Sequence, residues 1–193
     1  MTVRDPVNQI LPYLHLGSVD VYENDEFFNK HLVELIINCY KNHETPLARR
    51  STLTVLFKVE DINDLPPERR ATDSAKMSDL LPALLELMHT HVSKGQHVLV
   101  HCKHGAQRSA TIVVAYVRTY RKDLYSAIKP AELAWQWTHQ DLLNRSIQVV
   151  YQQRKIFDTY IRKSDGKECT YVSFEEALKK LDKQLYKEEK RSK

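Results

Sequence analysis

Val98–Tyr120, VLVHCKHGAQRSATIVVAYVRTY, decides the fold: an apolar run, a nine-residue polar loop HCKHGAQRS, then a second apolar run. Val98-Leu99-Val100 has the β-branched content and length of a buried strand, and Ala110 to Tyr120 is long enough for a buried helix despite its three valines. The stretch is therefore a strand, a tight loop and a helix start. At a helix N-terminus the unsatisfied backbone N–H groups and the dipole form a ready anion site, which a loop of successive N–H groups extends into a cradle.

Cys102 and Arg108 sit in that cradle. A thiol beside such donors and a guanidinium has its pKa lowered, which makes Cys102 a candidate nucleophile. Arg108 offers a planar fork that can hold two oxygens of a tetrahedral dianion while the thiolate faces its centre. Gly105 fits a sharply turning loop, and Ser109 can donate a hydrogen bond to the thiolate as nucleophile and as leaving group. The chemistry implied is phosphoryl transfer to cysteine.

HCxxGxxRS, with the ATIVVAY that follows, resembles the signature loop of the cysteine-dependent phosphatases, and most closely the dual-specificity protein phosphatases. Five fixed positions at background frequency co-occur by chance in roughly one chain in ten thousand of this length. More loosely, the resemblance runs from about Ile10 to Tyr160: ILPYLHLG is similar to the family's opening strand and LIINCY to its "vIN" strand. It implies that Lys103, His104, Gly105, Ala106, Gln107 and Arg108 form the phosphate loop. By the same resemblance His101 orders the loop and Asn38 braces it or simply ends its strand. Phosphoryl transfer to Cys102 releases an alkoxide or phenoxide that departs faster when a carboxylic acid protonates it. The family carries that acid as an Asp on the loop after the third strand; FKVED matches best, giving Asp61, with Asp64 as the alternative. Lys103 and His104 point to the mouth of such a loop, where solvated and substrate-contacting roles both stay open.

Composition sets the frame. With 193 residues, 42% of them hydrophobic, the chain can bury one sizeable core. A net charge of +4 permits anionic substrates without indicating nucleic acid. No apolar run reaches the length of a membrane span and MTVRDPVNQ lacks a signal-peptide core, so a cytoplasmic or nuclear protein is expected. The three cysteines, Cys39, Cys102 and Cys169, show neither paired nor metal spacing, which fits a reducing compartment, and the resemblance implies neither cofactor nor metal. Cys39 reads as a small buried filler, although its place beside the loop would also allow a disulfide with Cys102.

Strand patterns at Ile10–Gly17, Leu35–Tyr40 and Leu53–Val59 alternate with helical ones. A short helix is expected within Asp20–His31 with Phe27 and Phe28 inward, and an exposed loop over Glu60–Asp73 with its Pro66-Pro67. Further helices are expected at about Asp79–Lys94, Pro130–His139 and about Asn144–Arg162. Trp135 and Trp137 read as core aromatics. The fold class is α/β: a single domain with a central mostly parallel sheet flanked by helices, plus an extra C-terminal helix. We expect a catalytic domain over residues 1–163 and a Lys-rich extension over 164–193. In the extension Ser173 and Glu176 form a capping box, and Phe174, Leu178, Leu181 and Leu185 form a stripe. That stripe either docks on its own domain or meets a partner, a second copy included.

The resemblance implies a metal-independent phosphatase acting on phosphotyrosine and phosphoserine or phosphothreonine in protein substrates. Three alternatives stand beside it. HCKHG overlaps the HCTHG of RNA 5′-triphosphatases, Lys103 matches the HCKAG of phosphoinositide phosphatases, and a non-catalytic phospho-binding module would keep the cradle while losing Cys or Arg, both of which are present here.

Overall fold

The computed structural model describes residues 5–40, 53–60, 66–121, 139–156, 159–161, 168–170, 172 and 174–191. Its main sheet has the order β1 (Val7–Leu11), β2 (Leu14–Gly17), β5 (His97–His101), β3 (Val33–Asn38), β4 (Leu53–Leu56). β2, β5, β3 and β4 run parallel, and β1 is antiparallel to β2 at the edge. Ile10–Gly17 is thus two strands rather than one. Pro12 and Tyr13 turn the chain, with Tyr13 at φ 65, and the Tyr13 carbonyl accepts from the Val98 N–H at 2.8 Å. The turn seats β2 inside the sheet next to the strand that carries the loop.

The sheet is covered on both faces, so its central strands read as continuous apolar runs. Val98 and Val100 of β5 join Leu14, Leu16, Leu35 and Ile37 in the main core. That core lies under α2 (Pro67–Val92), α3 (Arg108–Tyr120), α4 (His139–Arg154) and α5 (Glu175–Arg191). Leu99 points the other way, into a smaller cluster with Val21, Tyr22, Phe27, Val33 and Ile36. A 3₁₀ turn (Val19–Glu23) and the short α1 (Asp25–Lys30) form that side; Phe27 is buried and Phe28 only half-buried. α3 is enclosed: every residue from Arg108 to Arg118 is buried.

Three expected elements shift. α2 begins at Pro67, twelve positions earlier than its periodicity suggested from Asp79 onward. A proline at the first helical position gives up an N–H that would have no partner there anyway, and the buried line Asp73, Met77, Leu81, Leu84, Leu85, Met88 carries the helix on. Pro82 then lies inside the helix on its exposed side, and Leu80 beside it is 49% exposed. α4 runs from His139 to Arg154 and stops at Lys155, whose φ is 56, so Ile161 belongs instead to β6 (Thr159–Ile161), antiparallel to β7 (Glu168–Thr170). β4 is confined to Leu53–Leu56. The Pro130–Thr138 part of the expected helix, Trp135, Trp137 and Ser173 lie outside the described residues.

The C-terminal helix docks on its own chain. Phe174, Ala177, Leu178 and Leu181 are part of the main core, with Leu185 packed against it, and α5 lies against α2, α3 and α4. Beneath it the Nε of Arg118 donates to Oδ1 of Asp182 at 2.6 Å, with the two side chains 0% and 2% exposed. No described helix is long and apolar enough to cross a membrane.

Candidate active site

β5 ends at His101 and α3 begins at Arg108, and the six residues between them wrap around one sulfur. The N–H of Gly105 donates to Cys102 Sγ at 3.2 Å and the hydroxyl of Ser109 donates at 3.1 Å. Cys102 is 2% exposed. Burial pushes its thiol up, but the hydroxyl and N–H of Ser109, the charge of Arg108 and the N–H of Gln107 together outweigh it, leaving the thiol below its ordinary value. Cys39, next to the same loop, also feels the charge of Arg108, but too weakly to offset what raises it. Burial and the neighbouring Cys102 hold its thiol far up, so it stays a neutral filler, and both cysteines are free thiols.

Arg108 occupies the first turn of α3, a place where the helix dipole favours acid and where no acidic side chain is found. A guanidinium there adds to the positive end of the dipole, and a local rule broken in this way concentrates positive potential on the loop. Its Cζ lies 5.8 Å from the centroid of the Tyr40 ring. Ala106 is buried, Gln107 half-buried, and Lys103 and His104 are exposed at the rim. The first-turn N–H of Thr111 is satisfied by the Gln107 carbonyl at 2.8 Å.

The supports come from the 3₁₀ turn after β2 and from the end of β3. His101 Nε2 lies 2.7 Å from the Tyr22 hydroxyl in the smaller cluster, and its carbonyl accepts from the Cys39 N–H at 2.8 Å. Asn38, paired with His101 in the sheet, turns its Oδ1 to the Tyr40 N–H at 2.8 Å. The Lys103 carbonyl accepts from Val19 N–H at 3.2 Å. Asp61 and Asp64 lie outside the described residues.

One residue of this site was missed in the sequence. Arg154, the last of α4, is 1% exposed and donates from Nε to the Gly105 carbonyl at 3.1 Å. Its Nη1 reaches the Asp5 carbonyl and Asn8 Oδ1, and its Nη2 the His104 carbonyl at 3.5 Å. Gly105, at φ 66, fits against it: a Cβ there would lie 2.6 Å from Arg154 Nη2 and 2.6 Å from the Gly17 carbonyl oxygen. The signal was available, because Arg154 continues the α4 face of Leu143, Val150 and Tyr151 as a charge at an apolar register. A loop fixed in this way offers a sulfur of raised acidity, inward N–H groups and a guanidinium to a tetrahedral dianion.

Residues 14–129, more than half of the chain, match the family described as dual specificity phosphatase, catalytic domain. The chain is 28% identical over 134 residues to tyrosine-protein phosphatase MSG5 of Saccharomyces cerevisiae, and 31% identical over 135 residues to human protein phosphatase Slingshot homolog 3. Those alignments cover 60% and 65% of this chain but only 27% and 18% of the relatives. Human DUSP28 superposes with a TM-score of 0.64 at 22% identity, covering 95% of this chain and 97% of that one, a likeness of fold. On that match over more than half of its length, the chain belongs to the dual specificity phosphatase catalytic-domain family.

Proposed function

We propose that this protein is a cysteine-dependent protein phosphatase that hydrolyses phosphotyrosine and phosphoserine or phosphothreonine through a phosphocysteine intermediate. The observation that carries the reading is the Cys102 sulfur, held between the Gly105 N–H and the Ser109 hydroxyl with Arg108 at the start of the next helix. In the first step the thiolate attacks phosphorus, the P–O bond to the substrate breaks, and Asp61 (or Asp64) gives its proton to the leaving oxygen. Arg108 and the loop N–H groups hold the equatorial oxygens as charge spreads over them. In the second step the same carboxylate takes a proton from water, the hydroxide oxygen attacks phosphorus, and the thiolate leaves with Ser109 donating to it. Inorganic phosphate is released and the thiolate is restored.

Phosphorylated proteins are the partners this reading requires, and the free thiols support a reducing cytoplasmic or nuclear setting. Hydrolysis of a phosphopeptide panel, measured beside 5′-triphosphorylated RNA and phosphoinositides, tests it. All three kinds of phosphorylated side chain are expected to be turned over. Exclusive turnover of RNA ends or inositol lipids would replace the reading.

A further inference from the structure

The opposite end of β5 carries a second cluster of chemically capable side chains. His97 opens the strand, His15 lies in β2 beside it, and His31 caps the C-terminus of α1. The three rings face one another, with centroids 4.7 Å apart for His15 and His31, 5.2 Å for His15 and His97, and 4.7 Å for His31 and His97. One nitrogen from each ring lies within 4.8 Å of the other two. His15 is 1% exposed, and His31 and His97 are half-buried, so the cluster opens to solvent on one side.

From this convergence we propose that His15, His31 and His97 form a binding site for a divalent transition metal of the zinc class, which clamps α1 to strands β2 and β5. Four-coordinate zinc with bonds of about 2.0–2.1 Å to nitrogen needs ligand atoms roughly 3.3 Å apart. His15 Nε2 and His97 Nδ1 are 2.9 Å apart, joined by a shared proton, and separate by only a few tenths of an ångström to reach that spacing. The shared proton moves to the other nitrogen of its ring, so both rings bind as neutral imidazoles. His31, at the end of a six-residue helix, supplies the third nitrogen by side-chain rotation, and water completes the tetrahedron.

The donor set selects the ion. Three imidazoles suit zinc, copper, nickel and cobalt rather than magnesium or calcium, which take oxygen ligands. Around the cluster, the backbone N–H of His97 is held by Glu34 Oε2 at 2.8 Å, and Phe27 and Tyr13 pack edge-on against His15 and His97. These contacts fix the backbone of one ligand and the rings of two, as a preformed site requires.

The site is independent of the phosphatase reading, and the test keeps the two apart. Cys102 is itself a ligand for soft metals, so binding is measured on the Cys102→Ser protein. Isothermal titration with Zn²⁺ and the visible spectrum with Co²⁺ are expected to show one ion per chain in a tetrahedral site, with a rise in melting temperature. His31→Ala alters a half-buried position and His97→Asn keeps a polar side chain on the strand; each is expected to weaken Zn²⁺ by about 100-fold or more. Affinity unchanged in both variants would overturn the proposal. Binding confined to the protein that retains Cys102, or no saturable Zn²⁺ binding at all, would overturn it equally.

Discussion

Two arginines are buried to the same degree and do different work. Arg118, 0% exposed in α3, gives its Nε to the Asp182 carboxylate and so ties the C-terminal helix to the centre of the domain. Arg154, 1% exposed at the end of α4, gives its donors to the carbonyls of Gly105, His104 and Asp5 and to Asn8, and so ties β1 and α4 to the Cys102 loop. A buried guanidinium has to be met by acceptors wherever it lies, and which acceptors meet it decides what depends on it. Losing the first should cost stability, and losing the second should cost the geometry on which the sulfur relies.

The scale of the loop end is set by Cys102→Ser, which should reduce turnover by at least roughly 10⁴-fold while melting like wild type and still binding phosphate-bearing peptide. Retention of a tenth of the wild-type kcat would place the nucleophile elsewhere. Next in size is the proton donor. Asp61→Asn should lose about 10²- to 10⁴-fold on poor leaving groups such as phenyl phosphate, yet be nearly normal on an activated aryl phosphate; if Asp64→Asn shows that pattern instead, the acid is Asp64.

Arg154→Ala sharpens the comparison directly. With the Gly105 peptide no longer held, kcat/KM should fall by about 10²-fold. The pH at which Cys102 is half-alkylated by iodoacetamide should also rise, because a loosened loop no longer aims its Gly105, Gln107 and Ser109 donors at the sulfur. Arg154→Lys should recover part of both. An unchanged alkylation profile would make Arg154 a packing residue and dissolve the distinction. The opposite arm is Asp182→Ala, which leaves Arg118 charged and unmatched and should cost about 3–5 kcal/mol in denaturant unfolding, with kcat/KM within a few-fold of wild type where the protein is folded. The smallest effect is expected of Ser109→Ala: slower hydrolysis of the phosphocysteine than formation, seen as a burst in rapid-quench traces, where equal slowing of both steps would count against its role as donor to the leaving sulfur.

The loop was legible because its chemistry is contiguous: sulfur, glycine, guanidinium and hydroxyl lie within Cys102–Ser109, and the strand and helix beside them are marked by apolar runs. Of its supports, His101 and Asn38 were legible beside it, but the charged one was not. Arg154 acts on a carbonyl 49 positions away and stands in QQRK, a string that reads as solvated surface until its register with Leu143, Val150 and Tyr151 is followed. Asp182 hides in the same way among the lysines of α5, and only its register beside Leu178 and Leu181 marks it as inward. The start of α2 was obscured because PERRATDSAK has too few apolar residues for periodicity to register, while its buried line runs through an aspartate, Asp73. His15, His31 and His97 come from three separate elements, and only the parallel pairing of β2 with β5 brings two of them side by side.

The central claim is that Cys102 carries the phosphoryl group, and the most direct measurement is mass spectrometry of the enzyme quenched in acid during turnover of a phosphotyrosine peptide. A phosphate adduct on the peptide containing Cys102, absent from Cys102→Ser and longer-lived in Ser109→Ala, is the predicted result. Steady turnover with no adduct on Cys102, or with one on another residue, would contradict the account.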